Sequence, residues 1–259
     1  MTTPYDDTTK VIPRVLVPAI AERGDGHDLV DAVLRLAGVA PVEPAADSAL
    51  VVLGERVFLH SEDFARRALL DLARGDAILR VAMLTRVLPA ITRRLESGWN
   101  DDRLSFVDVT IAAARIQDAV RRLGHFALPP AEKPAIALIV PHWEQHSLAA
   151  VFAAEEMRRM GAPVRLISGV EGRRIPAMIE RFPAAALMVS VGSGHSAARL
   201  TDLVRLLRRD VQRALPVVVG GPAVAQDRGI GQRLRADLTT NSVAEALSFC
   251  DMEPCRSQG

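Results

Sequence analysis

Two hydrophobic rhythms divide the chain. Between residues 61 and 123 apolar positions recur every three or four residues, the spacing of amphipathic helices. Ser61-Glu62-Asp63 carries an N-terminal capping and dipole signal, and Gly75 stops that helix. Asp76 restarts a second one through Ile78, Met83, Val87 and Ile91, with Pro89 expected to bend it. Asp101 and Asp102 are expected to open a third helix just after Trp99. Its apolar positions, Leu104, Val107, Val109, Ile111, Ala113, Ile116 and Val120, form a stripe wide enough to face a bundle interior. Arg121-Arg122 suit the end of that helix and Gly124 closes it. This region predicts a small helical bundle.

After the stiff linker Pro129-Pro130-Ala131-Glu132-Lys133-Pro134 the period changes. Candidate strands at 135–140, 164–167, 185–191, 216–219 and 236–238 alternate with candidate helices at 147–160, 175–182, 196–209, 223–234 and 242–249. Alternation of this kind builds a parallel sheet with right-handed crossovers. The expected fold class is therefore α plus α/β: a helical bundle, then a flavodoxin-like (Rossmann-type) five-stranded parallel-sheet domain. The expected boundaries are a partly ordered segment at 1–47, the bundle at 48–126, the α/β domain at 133–252 and a tail at 253–259. Gly24-Asp25-Gly26 breaks the first segment, and Pro41, Pro44 and Ala45-Ala46 read as a linker.

Composition narrows the function classes. The chain has 259 residues, 49% of them hydrophobic and 24% charged, with a net charge of +1. A neutral chain lacks the basic footprint of a nucleic-acid binder, so no direct DNA binding is expected. The polar, acidic N-terminus is no signal peptide, and no apolar run approaches the roughly 20 residues needed to span a bilayer. Cys250 and Cys255, with no histidine nearby, read as ordinary thiols of a reducing cytoplasm.

Three loops at the carboxyl ends of predicted strands carry unusual residues. Open α/β sheets bind ligands at that edge. The first loop is Pro141-His142-Trp143-Glu144-Gln145-His146-Ser147. A neutral imidazole at His146 suits iron, cobalt, copper or zinc, and Glu144 two residues earlier would take its other ring N–H. The second is Ser190-Val191-Gly192-Ser193-Gly194-His195, whose small residues leave room beside the sheet. The third is Gly220-Gly221-Pro222, where the missing Cβ would let a ligand approach the backbone. His142 and His195 lie near the same edge as alternative ligands or hydrogen-bonding groups. Trp143 either packs on a macrocycle or anchors its loop.

A histidine loop, a serine loop and a Gly-Gly loop in that order resemble the cobalamin-binding domain, whose motifs run Asp-x-His-x-x-Gly, Ser-x-Leu and Gly-Gly. The bundle ahead of the sheet resembles the four-helix cap of that superfamily. Within it, Trp99-Asn100-Asp101-Asp102-Arg103-Leu104-Ser105-Phe106-Val107-Asp108-Val109-Thr110, then Arg115-Ile116-Gln117 and the Glu-Gln-His form of the first motif, resemble the AerR/PpaA group of photosynthesis-gene regulators. The resemblance implies that His146 is the lower axial metal ligand, that Glu144 partners it, and that Trp99 covers the upper face. It also implies that Ser190, Ser193, Gly220 and Gly221 line a channel for the nucleotide tail.

Glu144 and Ala149 stand where the general motif has Asp and Gly. In light-sensing relatives a Glu-His pair follows the tryptophan by ten and eleven residues; here Val109 and Thr110 hold those positions. That difference implies hydroxo- or aquocobalamin rather than the adenosyl form. The implied role is a non-enzymatic cytoplasmic antirepressor that contacts a DNA-binding repressor of the CrtJ/PpsR type and senses cobalamin, light or redox state. Alternatives are a heme-binding sensor of the same fold, a cofactor-free interaction module, and a corrinoid carrier for a methyltransferase. The oligomeric state stays open.

Overall fold

A computed structural model of the protein describes residues 46–59, 63–124, 134–144, 147–192, 197–211, 214–227 and 229–252. The chain parts into two compact units between Leu123 and Gly124.

The first unit is helical: α1 (Ala46–Leu59), α2 (Asp63–Gly75), α3 (Ala77–Ala82), α4 (Leu88–Asn100) and α5 (Phe106–Leu123). Helix α1 begins inside the stretch read as linker, and its apolar sequence places Val57 and Phe58 in the core. The Arg115 guanidinium on α5 donates to the Phe58 and Leu59 carbonyls at 2.9 and 3.1 Å, capping the end of α1. Asp76 caps α3, accepting from the Ile78 and Leu79 amides at 2.8 and 2.9 Å. Between α3 and α4 a π turn spans Met83–Val87, where the Leu88 N–H reaches back to the Met83 carbonyl. Pro89 has no N–H to offer the turn before it, so the distortion falls on its N-terminal side.

Helix α5 starts later than its acidic residues predict. Asp101 to Leu104 form a turn, with Asp102 at φ +55°, and the Arg103 and Leu104 amides both donate to the Gly98 carbonyl. Ser105 and Asp108 then make a reciprocal cap: the Ser105 N–H and hydroxyl donate to the Asp108 carboxylate, and the Asp108 N–H donates to Ser105 Oγ. The stripe on α5 is also only half interior. Ala112, Ile116, Ala119, Val120 and Leu123 are buried, but Phe106, Val107 and Ile111 are exposed. The expectation that the whole stripe faces a bundle core is therefore corrected.

The second unit is a three-layer α/β domain. Its strands are β1 (Ala135–Val140), β2 (Val164–Ser168), β3 (Ala184–Ser190), β4 (Val217–Gly220) and β5 (Leu238–Thr239), all parallel, in the order β2-β1-β3-β4-β5. That is the flavodoxin-type doubly wound order. Helices α6 (Leu148–Arg159), α7 (Ile175–Ile179), α8 (Ala197–Asp210), α9 (Pro222–Gln226), α10 (Ile230–Leu234) and α11 (Val243–Phe249) connect or follow the strands. The stretch expected as one helix over 223–234 is two, because the Asp227 carboxylate accepts from the Gly229 N–H and turns the chain. Alternate strand residues point to opposite faces. Ile136, Leu138, Ala186, Met188 and Val218 pack under α6 and α11; Ala137, Ile139, Leu187, Val217 and Val219 pack under α7, α8 and α10.

Candidate functional site

The switch point of the sheet lies at the carboxyl ends of β1 and β3, where the chain leaves in opposite directions: to α6 on one face and to α8 on the other. Glu144, in the loop after β1, reaches across it. Its Oε2 accepts the Gly192 N–H at 2.9 Å, tying the first predicted loop to the second. Gln145, His146, Ser193 and His195 lie outside the described residues.

On the α6/α11 side of this edge is a cavity of about 360 Å³, lined by Ser190, Gly220 and Gly221 together with Leu138, Phe152 and Asn241. Three residues chosen from sequence thus share one concavity. Ser190 is a buried polar side chain at the end of β3, on the same sheet face as Met188. Ala149, at the start of α6, also lines the cavity.

The two glycines also have a packing role within the protein itself. A Cβ on Gly220 would lie 2.7 Å from the Thr240 carbonyl oxygen. One on Gly221 would lie 2.6 Å from the Val191 carbonyl oxygen, at a residue whose φ is +111°. The missing side chains therefore let the protein's own backbone pack closely around the cavity mouth.

The β5–α11 loop supplies lining that no motif announced. Asn241 Oδ1 accepts the Gly221 N–H at 2.8 Å, Thr240 Oγ1 accepts the Ser242 N–H, and Ser242 Oγ caps α11 by accepting from the Glu245 N–H. The sequence placed a helix start at Ser242; the position of this loop beside β4 comes only from topology.

Among the other singled-out residues, Trp143 is half-buried against the α8 side of the sheet, with its indole N–H buried and without a hydrogen-bond partner. That packing accords with the loop-anchor reading. His142 is exposed and meets the Trp143 ring edge-on at 4.8 Å. Trp99, on the helical unit, is 44% exposed and meets Phe106 edge-on at 6.1 Å between centroids. Among the described residues no cluster of three or more His, Cys, Asp or Glu side chains could hold a metal ion. None of their helices is long and apolar enough to cross a membrane.

No family model matches the chain. An uncharacterized 20.5 kDa protein in the bchF-crtJ intergenic region of Rhodobacter capsulatus is 32% identical over 172 residues, covering 64% of this chain and 88% of that protein. The chain belongs to that protein's family. Among solved structures, the Methanosarcina barkeri monomethylamine corrinoid protein aligns over 78% of this chain and 97% of its own, with 15% identity and a TM-score of 0.59. The likeness is one of fold, here a five-stranded parallel sheet with helices on both faces. A cobalamin-binding protein from Desulfitobacterium hafniense aligns over 78% of this chain and 97% of its own at 16% identity, with a TM-score of only 0.41.

Proposed function

We propose that this protein binds cobalamin and acts, without catalysing a reaction, as a regulator through contact with a transcription repressor of the CrtJ/PpsR type. The observation that carries the binding half is the cavity at the carboxyl edge of the sheet. Its volume falls in the range of about 300–1,000 Å³ usual for small-molecule sites, its lining is largely apolar, and Ser190 and Asn241 add polar groups within it. That suits a tail with a flat base and a polar linker. The shared fold is that of a protein whose name is corrinoid protein, which supports the same ligand.

In this reading His146 would hold the cobalt, which would supply a centre responsive to light or redox state. The chain's own residues do the rest. Glu144 holds the histidine loop against the Gly192 loop, Ser190, Gly220 and Gly221 bound the slot that would take the tail, with Ser193 expected to join them, and Trp99 with Phe106 and Val107 offers exposed apolar surface suited to a macrocycle. Val109 and Thr110 bring no carboxylate or imidazole, so the bound form is hydroxo- or aquocobalamin. The regulatory half is supported by the relative's position in a bchF-crtJ intergenic region, a photosynthesis-gene setting.

The test is to load the full chain with hydroxocobalamin or hemin, remove free ligand, and quantify what is retained. Cobalamin is expected to stay, hemin to wash away, and Ser190→Leu to weaken cobalamin retention at least about tenfold by filling the slot. Retention of hemin alone would replace cobalamin by heme in this account. Retention of neither would leave a cofactor-free interaction module. A carrier reading, favoured by the corrinoid protein that shares the fold, requires methyl transfer from the methylcobalamin-loaded chain to a thiol acceptor with its methyltransferase.

A further inference from the structure

The sheet face opposite the slot carries a second concavity of different chemistry. Helices α8 and α10 border a hollow of about 310 Å³ lined by Thr201, Arg205, Arg208, Arg209, Arg233 and Arg235. Its helices bury Leu203, Leu207, Ile230 and Leu234 against the side of the sheet away from α6 and α11, so the hollow and the slot belong to different faces of one unit.

The charge is concentrated as well as exposed. Residues 197–237 contain eight arginines against four aspartates and no lysine or glutamate. That is a surplus of four positive charges in a chain whose total is +1, leaving the rest of the protein at −3. Each aspartate engages only part of a guanidinium: Asp202 meets Arg205 Nη1 at 3.2 Å, Asp210 holds Arg209, Asp227 holds Arg233, and Asp237 meets Arg208 Nη2 at 2.9 Å. A guanidinium has five N–H donors in a fork that matches a carboxylate. Arg235 closes α10 in the left-handed conformation, φ 53°, a position glycine usually takes. The chain instead puts a fifth arginine at the rim.

We propose that this hollow is a docking site for an acidic, carboxylate-bearing segment of a protein partner. The interleaved aspartates decide against nucleic acid: each would face a phosphate of an unbroken anionic backbone, and no aromatic side chain lines the hollow for a base to stack on. A protein segment that spaces its carboxylates with neutral or basic groups matches the mixed pattern. Because the hollow and the slot are on opposite faces, this site stands independently of what the slot binds.

The experiment uses the full chain and a fluorescein-labelled synthetic Glu-rich peptide, read by anisotropy at about 0.15 M salt, where exposed charges are screened beyond about 8 Å. The test variant is Arg205→Glu/Arg209→Glu, whose side chains are 73% and 74% exposed and therefore dispensable for the core. The charge-matched control is Arg121→Glu/Arg122→Glu on α5 of the helical unit. Saturable binding is expected, at least about tenfold weaker in the test variant and within about twofold of wild type in the control. No saturable binding, equal loss in both variants, or tighter binding of a labelled DNA duplex through the same arginines would each overturn the proposal.

Discussion

A methyl group added at Gly221 would have to sit 2.6 Å from the Val191 carbonyl oxygen, at a φ of +111° that L residues rarely adopt. Gly221→Ala is therefore expected to cost about 2 kcal/mol or more, seen as a lower urea midpoint. Ser190→Leu should leave that midpoint near wild type, because its larger side chain enters an existing cavity rather than a packed core. Glu144 separates two roles in the same way. Glu144→Gln keeps an oxygen for the Gly192 N–H, whereas Glu144→Ala removes it and should lose about 1 kcal/mol. A Glu144→Ala protein as stable as wild type would show that the tie between the two loops is not needed for stability. Cys250 gives a pH signature. Burial, with lesser contributions from Asp251 and Asp237, pushes its thiol up to about 11 from 9.0. The unfolded chain thus loses this proton first, so the thiol lowers stability as pH rises from about 9 to 11. Cys250→Ala should flatten that decline in a comparison of urea midpoints.

At the scale of elements, the alternation of apolar runs with helical patterns was enough to place all five strands to within about two residues, because a buried parallel strand needs a continuous apolar run. Caps were legible where the side chain acts locally, as at Asp76 and Ser242. Removing the first, Asp76→Ala, should cost about 1 kcal/mol in thermal or urea unfolding. Elements set by competition between neighbours were misjudged. Asp101 and Asp102 look like a helix start, but the turn closed on the Gly98 carbonyl uses them first, and the Ser105–Asp108 pair makes the real cap. Val107 and Ile111 continue an apolar period onto an exposed surface, which periodicity alone assigns to a core. The 223–234 helix broke for a similar reason, since Asp227 takes the Gly229 amide. Within the site, Ser190, Gly220 and Gly221 were legible as small residues at strand ends. Asn241 was not, because only the β4–β5 pairing brings its loop beside Gly221.

For the whole molecule, the strand order puts two different surfaces on one α/β unit: an apolar slot under α6 and α11, and an arginine-rich hollow beside α8 and α10. A sensor needs a ligand site and a partner site whose affinities are linked, and linkage is reciprocal. If cobalamin alters repressor affinity by a given factor, the repressor must alter cobalamin affinity by the same factor, measurable by titrating each in the presence of the other. Equal repressor affinity for loaded and unloaded protein would reduce the protein to an adaptor. The cobalamin-sensing half of this reading depends on His146 as a ligand to cobalt. The visible spectrum of hydroxocobalamin retained by the wild-type chain, beside that retained by His146→Ala, tests it most directly. The expected result is a wild-type spectrum displaced from that of free ligand, and a His146→Ala spectrum that is either absent or displaced differently. Identical spectra and equal retention in the two proteins would contradict it.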